Sequence, residues 1–230
     1  MPENQSRPQT ARKRKHLYAA AVVAAAFLAV FAFAAAFLPD DDSPTDATPA
    51  ADPRVVRADS HRLTAPADSE VTLVEFLDFE CEACGAYYPA VEKLRDRYGD
   101  RVTFVARYFP MPGHRNGELA ARTAEAAARQ GKFEEMYGKL FETQAEWGGA
   151  RGSKKEVFRG FARDLGLDLA RFDRDLAAPR TADRVRTDQR DGLALGVQGT
   201  PTFFLDGEKI SSPRSYEHFA AALDEALAAP

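Results

Sequence analysis

The apolar and polar positions of this chain fall into blocks with different periods. Between Leu17 and Leu38 there is no period, because no charged residue interrupts the run. Its length, about 22 residues, makes a helix ~33 Å long, the thickness of a bilayer's hydrocarbon core. Residues 39–54, PDDDSPTDATPAADPR, carry no apolar repeat and predict a flexible linker. Val71 to Phe79, VTLVEFLDF, is apolar on both alternating faces, the signature of a central strand buried on both sides. Tyr87, Val91, Leu94 and Tyr98 then recur at four, three and four, which predicts a helix with one apolar face closing near Gly99. Arg101 to Phe109, RVTFVARYF, is a second strand, and the connection between the strands is long enough for a parallel crossover.

The period changes after that β, α, β opening. Asn116 to Gln130 is alanine-rich, and Phe133, Met136, Tyr137, Leu140 and Phe141 repeat at three and four. Val157, Phe158, Phe161 and Leu165 do the same, followed by Leu169, Phe172 and Leu176. This is a helical block of about 80 residues whose Met and aromatic stripe is core packing. TFFLDGEKI after GVQGTP is a hairpin turning at Asp206-Gly207, and Tyr216, Phe219, Ala220, Leu223 and Leu227 mark one face of a last helix.

Charge orients the front end. Arg12, Lys13, Arg14 and Lys15 precede the apolar run and Asp40, Asp41 and Asp42 follow it. Residues 1–16 therefore form a cytoplasmic basic tail, residues 17–38 a transmembrane anchor, and the remainder is extracytoplasmic. A cleaved signal is the alternative, since Ala34 to Ala36 offers small residues, although signal cores usually run about 7 to 15 residues; the product would then be secreted. Five of the 31 basic residues and one of the 35 acidic ones lie before Leu17, which leaves 26 basic against 34 acidic, a net of −8. Nucleic acid as a partner needs the opposite sign. The 45% apolar content and 16 Phe suffice for one good core.

Both cysteines, Cys81 and Cys84, stand in DFECEACGAYYP, just past the end of the first strand and at the start of a helix. A zinc site needs four ligands, and none of His16, His61, His114 or His218 lies near the motif in sequence. A structural disulfide across three residues closes too small a loop to staple anything. A redox pair fits, because the helix N-terminus stabilises the Cys81 thiolate and the bond can open without unfolding. Position assigns Cys81 as the attacking sulfur and Cys84, one turn in, as the resolving one. Glu75 points from the strand towards the pair, flanked by Val74 and Phe76, and a buried carboxyl there suits proton exchange with Cys84. His114, in FPMPGHRNG, reads as a loop or helix-capping residue and Trp147 as packing. No metal and no cofactor beyond the cysteine pair itself is expected.

The strand, the Cys-x-x-Cys at a helix start and the Gly-Thr-Pro before a hairpin together resemble a thioredoxin fold, over roughly Val71 to Leu227. The large helical insertion, and KFEEMYGKLFETQAEWG within it, resemble the DsbA-like branch of membrane-anchored, bacterial thiol:disulfide oxidoreductases. Glu75 lies where that superfamily keeps a buried acid, and Pro89 where it kinks the active-site helix. The resemblance implies an α/β thioredoxin-like domain over residues 55–230 with a helical insertion at about 116–190, preceded by one transmembrane helix. It also implies a cis bond at Thr200-Pro201, which would free Thr200's backbone to pair with an extended substrate. The expected function is an oxidase acting on exported protein thiols and recycled by a membrane redox partner. An isomerase or a reductase, for instance in cytochrome c maturation, a copper-binding thiol chaperone and a non-catalytic interaction domain are the alternatives. Glu82-Ala83 departs from the proline and histidine common between the cysteines of such oxidases. With Asp78, Glu80 and Glu82 around Cys81 and no basic neighbour in the local sequence, Glu82 and Ala83 are expected to tune the pair towards a weaker oxidant.

Overall fold

In the computed structural model the described residues are Asp52 and residues 54–229. The expected anchor at 17–38, the basic tail and most of the linker lie outside them. Among the described residues no helix is long and apolar enough to cross a membrane.

The strand expected at Val71 runs from Val71 to Leu77 (β2) and sits at the middle of a five-stranded sheet. Only one of its residues, Thr72, retains intermediate exposure, consistent with cover on both faces. On one side it pairs in parallel with β3, Val102–Tyr108, from Val71 opposite Val102 to Leu77 opposite Tyr108. On the other it pairs antiparallel with β4, Thr202–Leu205, which turns into β5, Glu208–Ile210. Asp206 and Gly207 hold φ of 48° and 91°, the two positive angles that a two-residue hairpin turn demands. The Asp206 carboxylate also accepts from the Thr72 backbone N–H at 2.7 Å, which ties the hairpin to the central strand.

One strand has no counterpart in the hydrophobic pattern. His61–Thr64 (β1) lies antiparallel to β3 at the sheet edge, with a register shift between Arg62 and Thr64. Four residues with a single buried apolar side chain, Leu63, give no period to read.

The crossover between β2 and β3 is α1, Glu82–Tyr98, which carries Pro89 inside it and buries Cys84, Val91, Leu94 and Tyr98. After β3 come α2 (Gly117–Ala128), α3 (Phe133–Glu142), the single turn α4 (Gln144–Trp147), α5 (Lys155–Asp164), α6 (Leu169–Ala177) and α7 (Pro179–Ala194). The last helix is α8, Tyr216–Ala228. Trp147 is fully buried, meets Phe158 edge to face at 4.9 Å and donates from its indole to the Leu140 carbonyl at 3.1 Å.

The sheet separates two apolar layers. Leu73 and Leu77 of β2 face a large core shared with α1, the inserted helices and α8. Val74 and Phe76 face a smaller one with Val55, Val105, Phe109, Val197 and Phe204, against which Gly192 of α7 packs so closely that a Cβ would meet Phe109 at 2.7 Å. Successive side chains of a strand alternate, so Glu75 shares the face of Leu73 and Leu77 and points into the larger core.

The smaller layer is bounded by a buried ion network that the strand pattern does not announce. Arg107 of β3 is fully buried and donates to Asp188 at 2.6 Å and Asp191 at 2.7 Å, both on α7. It also donates to the carbonyls of Arg54 and Val55, each at 2.7 Å. Arg57 of the entering segment donates to Asp191 as well, so that segment is fastened to sheet and helix through two guanidinium groups.

Candidate active site around the two cysteines

Cys81 is the N-cap of α1, with extended backbone angles (φ −72°, ψ 119°), and Cys84 sits one turn into the helix. Both are free thiols, Cys81 partly exposed and Cys84 with 1% of its surface exposed. The first turn of a helix leaves its N–H groups unpaired, so a sulfur placed there meets donors. The Cys81 thiol is accordingly held down to about 5: the Cys84 thiol donates to it, burial opposes, and the Thr200 side chain and the N–H groups of Cys84 and Ala83 add to the pull. Cys84 moves the other way, well above the ordinary thiol range, through burial first, then its bond to Cys81 and the charges of Glu75 and Cys81. The two thiols are thus driven apart, one towards thiolate and one towards thiol.

Glu75 is 7% exposed, and burial pushes its carboxyl up to about 8, with the charges of Cys81 and Glu92 adding to the effect. The cis peptide at Thr200-Pro201 brings a second loop to the site. The Cys81 thiol donates to the Thr200 carbonyl at 3.3 Å. The Thr200 hydroxyl is buried with no other partner, which leaves it to donate to the sulfur once Cys81 has ionised. Pro201 is half-buried beside it. Glu82 and Ala83 are exposed on the first turn of α1. Ala83 acts through its backbone N–H, and the principal influences on Cys81 are hydrogen bonds from Cys84, Thr200 and the helix end.

The acidic neighbourhood read from the sequence turns inward. Asp78 is buried; its Oδ1 accepts from the Glu80 N–H at 2.9 Å and its Oδ2 from the Met111 N–H at 2.8 Å. Glu80 is also buried and accepts from the N–H groups of Asn116 at 2.5 Å and Gly149 at 3.1 Å. Asp78 lies so close to the start of α2 that a Cβ at Gly117 would fall 2.6 Å from its carboxylate.

His114, distant from the motif in sequence, stands with Nδ1 2.5 Å from Asp78 Oδ2, so the fold brings a histidine against the turn that carries Cys81. Gln144 of α4 donates from one amide nitrogen to the carbonyls of Phe79 at 2.7 Å and Cys81 at 2.8 Å, so the inserted helices hold the turn that presents the nucleophile. The adjacent acids in DFECE are the visible signal of these supports, and apart from the Glu80 N–H on Asp78 their partners lie more than thirty residues away. Among the described residues no group of three or more His, Cys, Asp or Glu could hold a metal ion.

A family model described as Thioredoxin matches residues 64–225. Among solved structures, the chain is similar to a thioredoxin-like oxidoreductase from Silicibacter pomeroyi DSS-3, with 28% identity and a TM-score of 0.65 over 77% of this chain and 98% of that one. It shares the fold of alpha-DsbA1 from Wolbachia pipientis, with 18% identity and a TM-score of 0.66 over 74% of this chain and 92% of that one. Among curated proteins, it is 34% identical over 183 residues to the Na(+)/H(+) antiporter NhaA of Herminiimonas arsenicoxydans, which is 80% of this chain and 27% of that protein. The chain thus spans about a quarter of the length of the curated relatives it matches.

Proposed function

The chain belongs to the thioredoxin family and has the fold of its DsbA-like members, and from that premise we propose that it is an extracytoplasmic thiol:disulfide oxidoreductase that introduces disulfides into exported proteins. The observation that carries the reading is the opposed pair of thiols: a Cys81 sulfur stabilised as thiolate beside a Cys84 kept as thiol, with Glu75 buried behind it.

In the proposed reaction a client thiolate attacks Cys81 of the disulfide form. The Cys81–Cys84 bond breaks, and Cys84 leaves with the electron pair and takes a proton from Glu75, whose raised pKa keeps one available near neutrality. A second client thiolate then attacks the client sulfur of the mixed disulfide, and Cys81 leaves as thiolate. Two electrons have passed from the client to the protein. A stabilised Cys81 thiolate is a good leaving group and favours the reduced form, and both effects drive client oxidation. In the disulfide and in the mixed disulfide Cys81 has no proton to donate to the Thr200 carbonyl, which leaves that carbonyl free to pair with an extended client strand beside Pro201.

The run Leu17 to Leu38 and the basic cluster before it support a membrane tether that holds the domain outside the cytoplasm, where a membrane redox partner reoxidises the pair. The test is a trap. In Cys84→Ser the lone Cys81 thiolate attacks a client disulfide, one client sulfur leaves as thiolate, and with no Cys84 to attack Cys81 in turn the adduct is expected to accumulate on non-reducing gels, whereas Cys81→Ser is expected to form none. Equal trapping by both, or by neither, overturns the assignment.

A further inference from the structure

The turn that carries Cys81 and the loop that carries His114 meet across one carboxylate. In the turn, the Cys81 N–H donates to the Asp78 carbonyl at 3.1 Å and the Glu80 N–H to Asp78 Oδ1 at 2.9 Å. In the loop, the His114 N–H donates to the Met111 carbonyl at 3.0 Å, and both the Met111 N–H and His114 Nδ1 face Asp78 Oδ2. Asp78 is 2% exposed, so this joint is dry, while the His114 side chain keeps 32% of its surface in solvent. An ionised carboxylate only accepts, so Nδ1 carries a proton and Nε2 is left to gain or lose the second one.

We propose that His114 is a positioning residue of the cysteine site: through Asp78 it fixes the turn that presents Cys81, and its imidazolium supplies the positive charge that the Glu82-Ala83 dipeptide does not. The inference rests on the thiol-exchange reading and adds a residue to that site.

The charged groups around the imidazole favour its cationic form on balance. Asp78, Glu80 and Cys81 face it from the active-site turn, Glu118 of α2 and Arg186 of α7 line the same small cavity of about 220 Å³, and Arg115 is its neighbour in the loop. Burial lowers the pKa of His114, and the hydrogen bond to Asp78 with the charges of Asp78, Cys81 and Glu80 more than offsets it, for a net rise. Coupling between two sites is reciprocal, so a thiolate that favours the imidazolium is favoured by it to the same extent. For unit charges about 10 Å apart at an effective dielectric of about 40, Coulomb's law gives a shift of about half a pKa unit in each.

The test reads both ends of that coupling in the full chain. His114→Gln in a Cys84→Ser background keeps a donor for Asp78 but removes the charge, and the Cys81 pKa, followed by ultraviolet thiolate absorbance, is expected to rise by about half a unit. Cys81→Ser leaves His114 native, and the histidine's proton resonances are expected to titrate lower by the same amount. A purely structural hydrogen bond would be rescued by glutamine. A Cys81 pKa unmoved within about 0.2 unit, or a His114 titration indifferent to Cys81, overturns the inference. If His114→Gln fails to fold, the second arm decides alone. Neither arm measures turnover, so a chain that exchanges no disulfides would sink the proposed function and leave this result standing.

Discussion

Glu75 is a carboxyl held where a carboxylate is disfavoured, and that has a consequence for stability as well as chemistry. Its pKa is raised from 4.5 to about 8, chiefly by burial. As the pH rises, the unfolded chain gives up this proton first while the folded chain still holds it. The folded state therefore binds more protons, and stability must fall with rising pH between the two values, levelling off above the folded one. From about pH 5.5 to about pH 8.5 the loss amounts to about 3 kcal/mol. The two cysteines titrate in the same window with shifts of opposite sign, so the measurement belongs in a Cys81→Ser, Cys84→Ser background. There the Cys81 contribution to Glu75 is gone and about 2 to 3 kcal/mol is expected to remain. Glu75→Gln keeps the shape and cannot ionise. Urea unfolding of the two proteins should show that the substitution stabilises more at the higher pH than at the lower by about that difference, equivalent to a relative gain in Tm of about 5 to 10 °C. Curves that stay parallel within about 0.5 kcal/mol would mean that Glu75 ionises freely in the folded protein, and its role as proton donor to Cys84 would fall with it.

Other consequences can be checked as directly. Thr200→Val removes the one side-chain donor that reaches Cys81 from the proline loop and is expected to raise the Cys81 pKa by about one unit, given the strength of hydrogen bonds to charged groups; an unchanged thiolate titration would show that the hydroxyl does not reach the sulfur. Glu82→Gln is expected to move that pKa by less than about 0.3 unit at physiological salt, because the side chain is exposed and screened; a larger fall would make Glu82 a tuning residue of the pair. Arg107→Met leaves Asp188 to Arg184 alone and Asp191 to Arg57 alone and is expected to cost about 2 to 3 kcal/mol in urea unfolding, less than the full cost of an unpaired buried charge. A loss below about 1 kcal/mol would show that the network rearranges around the gap.

Much of this protein is written locally. The two-residue alternation of VTLVEFLDF marks a strand covered on both faces, and the same alternation places Glu75 on the side of Leu73 and Leu77, where Cys84 is also buried. The three-and-four spacing of Tyr87, Val91, Leu94 and Tyr98 marks the helix whose open end receives Cys81. Asp206-Gly207 names its own turn. These features are legible because period, propensity and turn chemistry act over a few residues. What the local sequence could not carry is the identity of distant partners. His61–Thr64 becomes a strand only because β3 offers it an edge. Arg107 looks like the polar member of an alternating strand until α7 returns with Asp188 and Asp191. The run of acids beside Cys81 suggests repulsion, yet Asp78 and Glu80 are turned inward onto His114, Met111, Asn116 and Gly149. The sulfur instead meets Thr200, which lies 119 positions along the chain. Charges and hydrogen bonds act through space, and only the closed chain decides which groups share it.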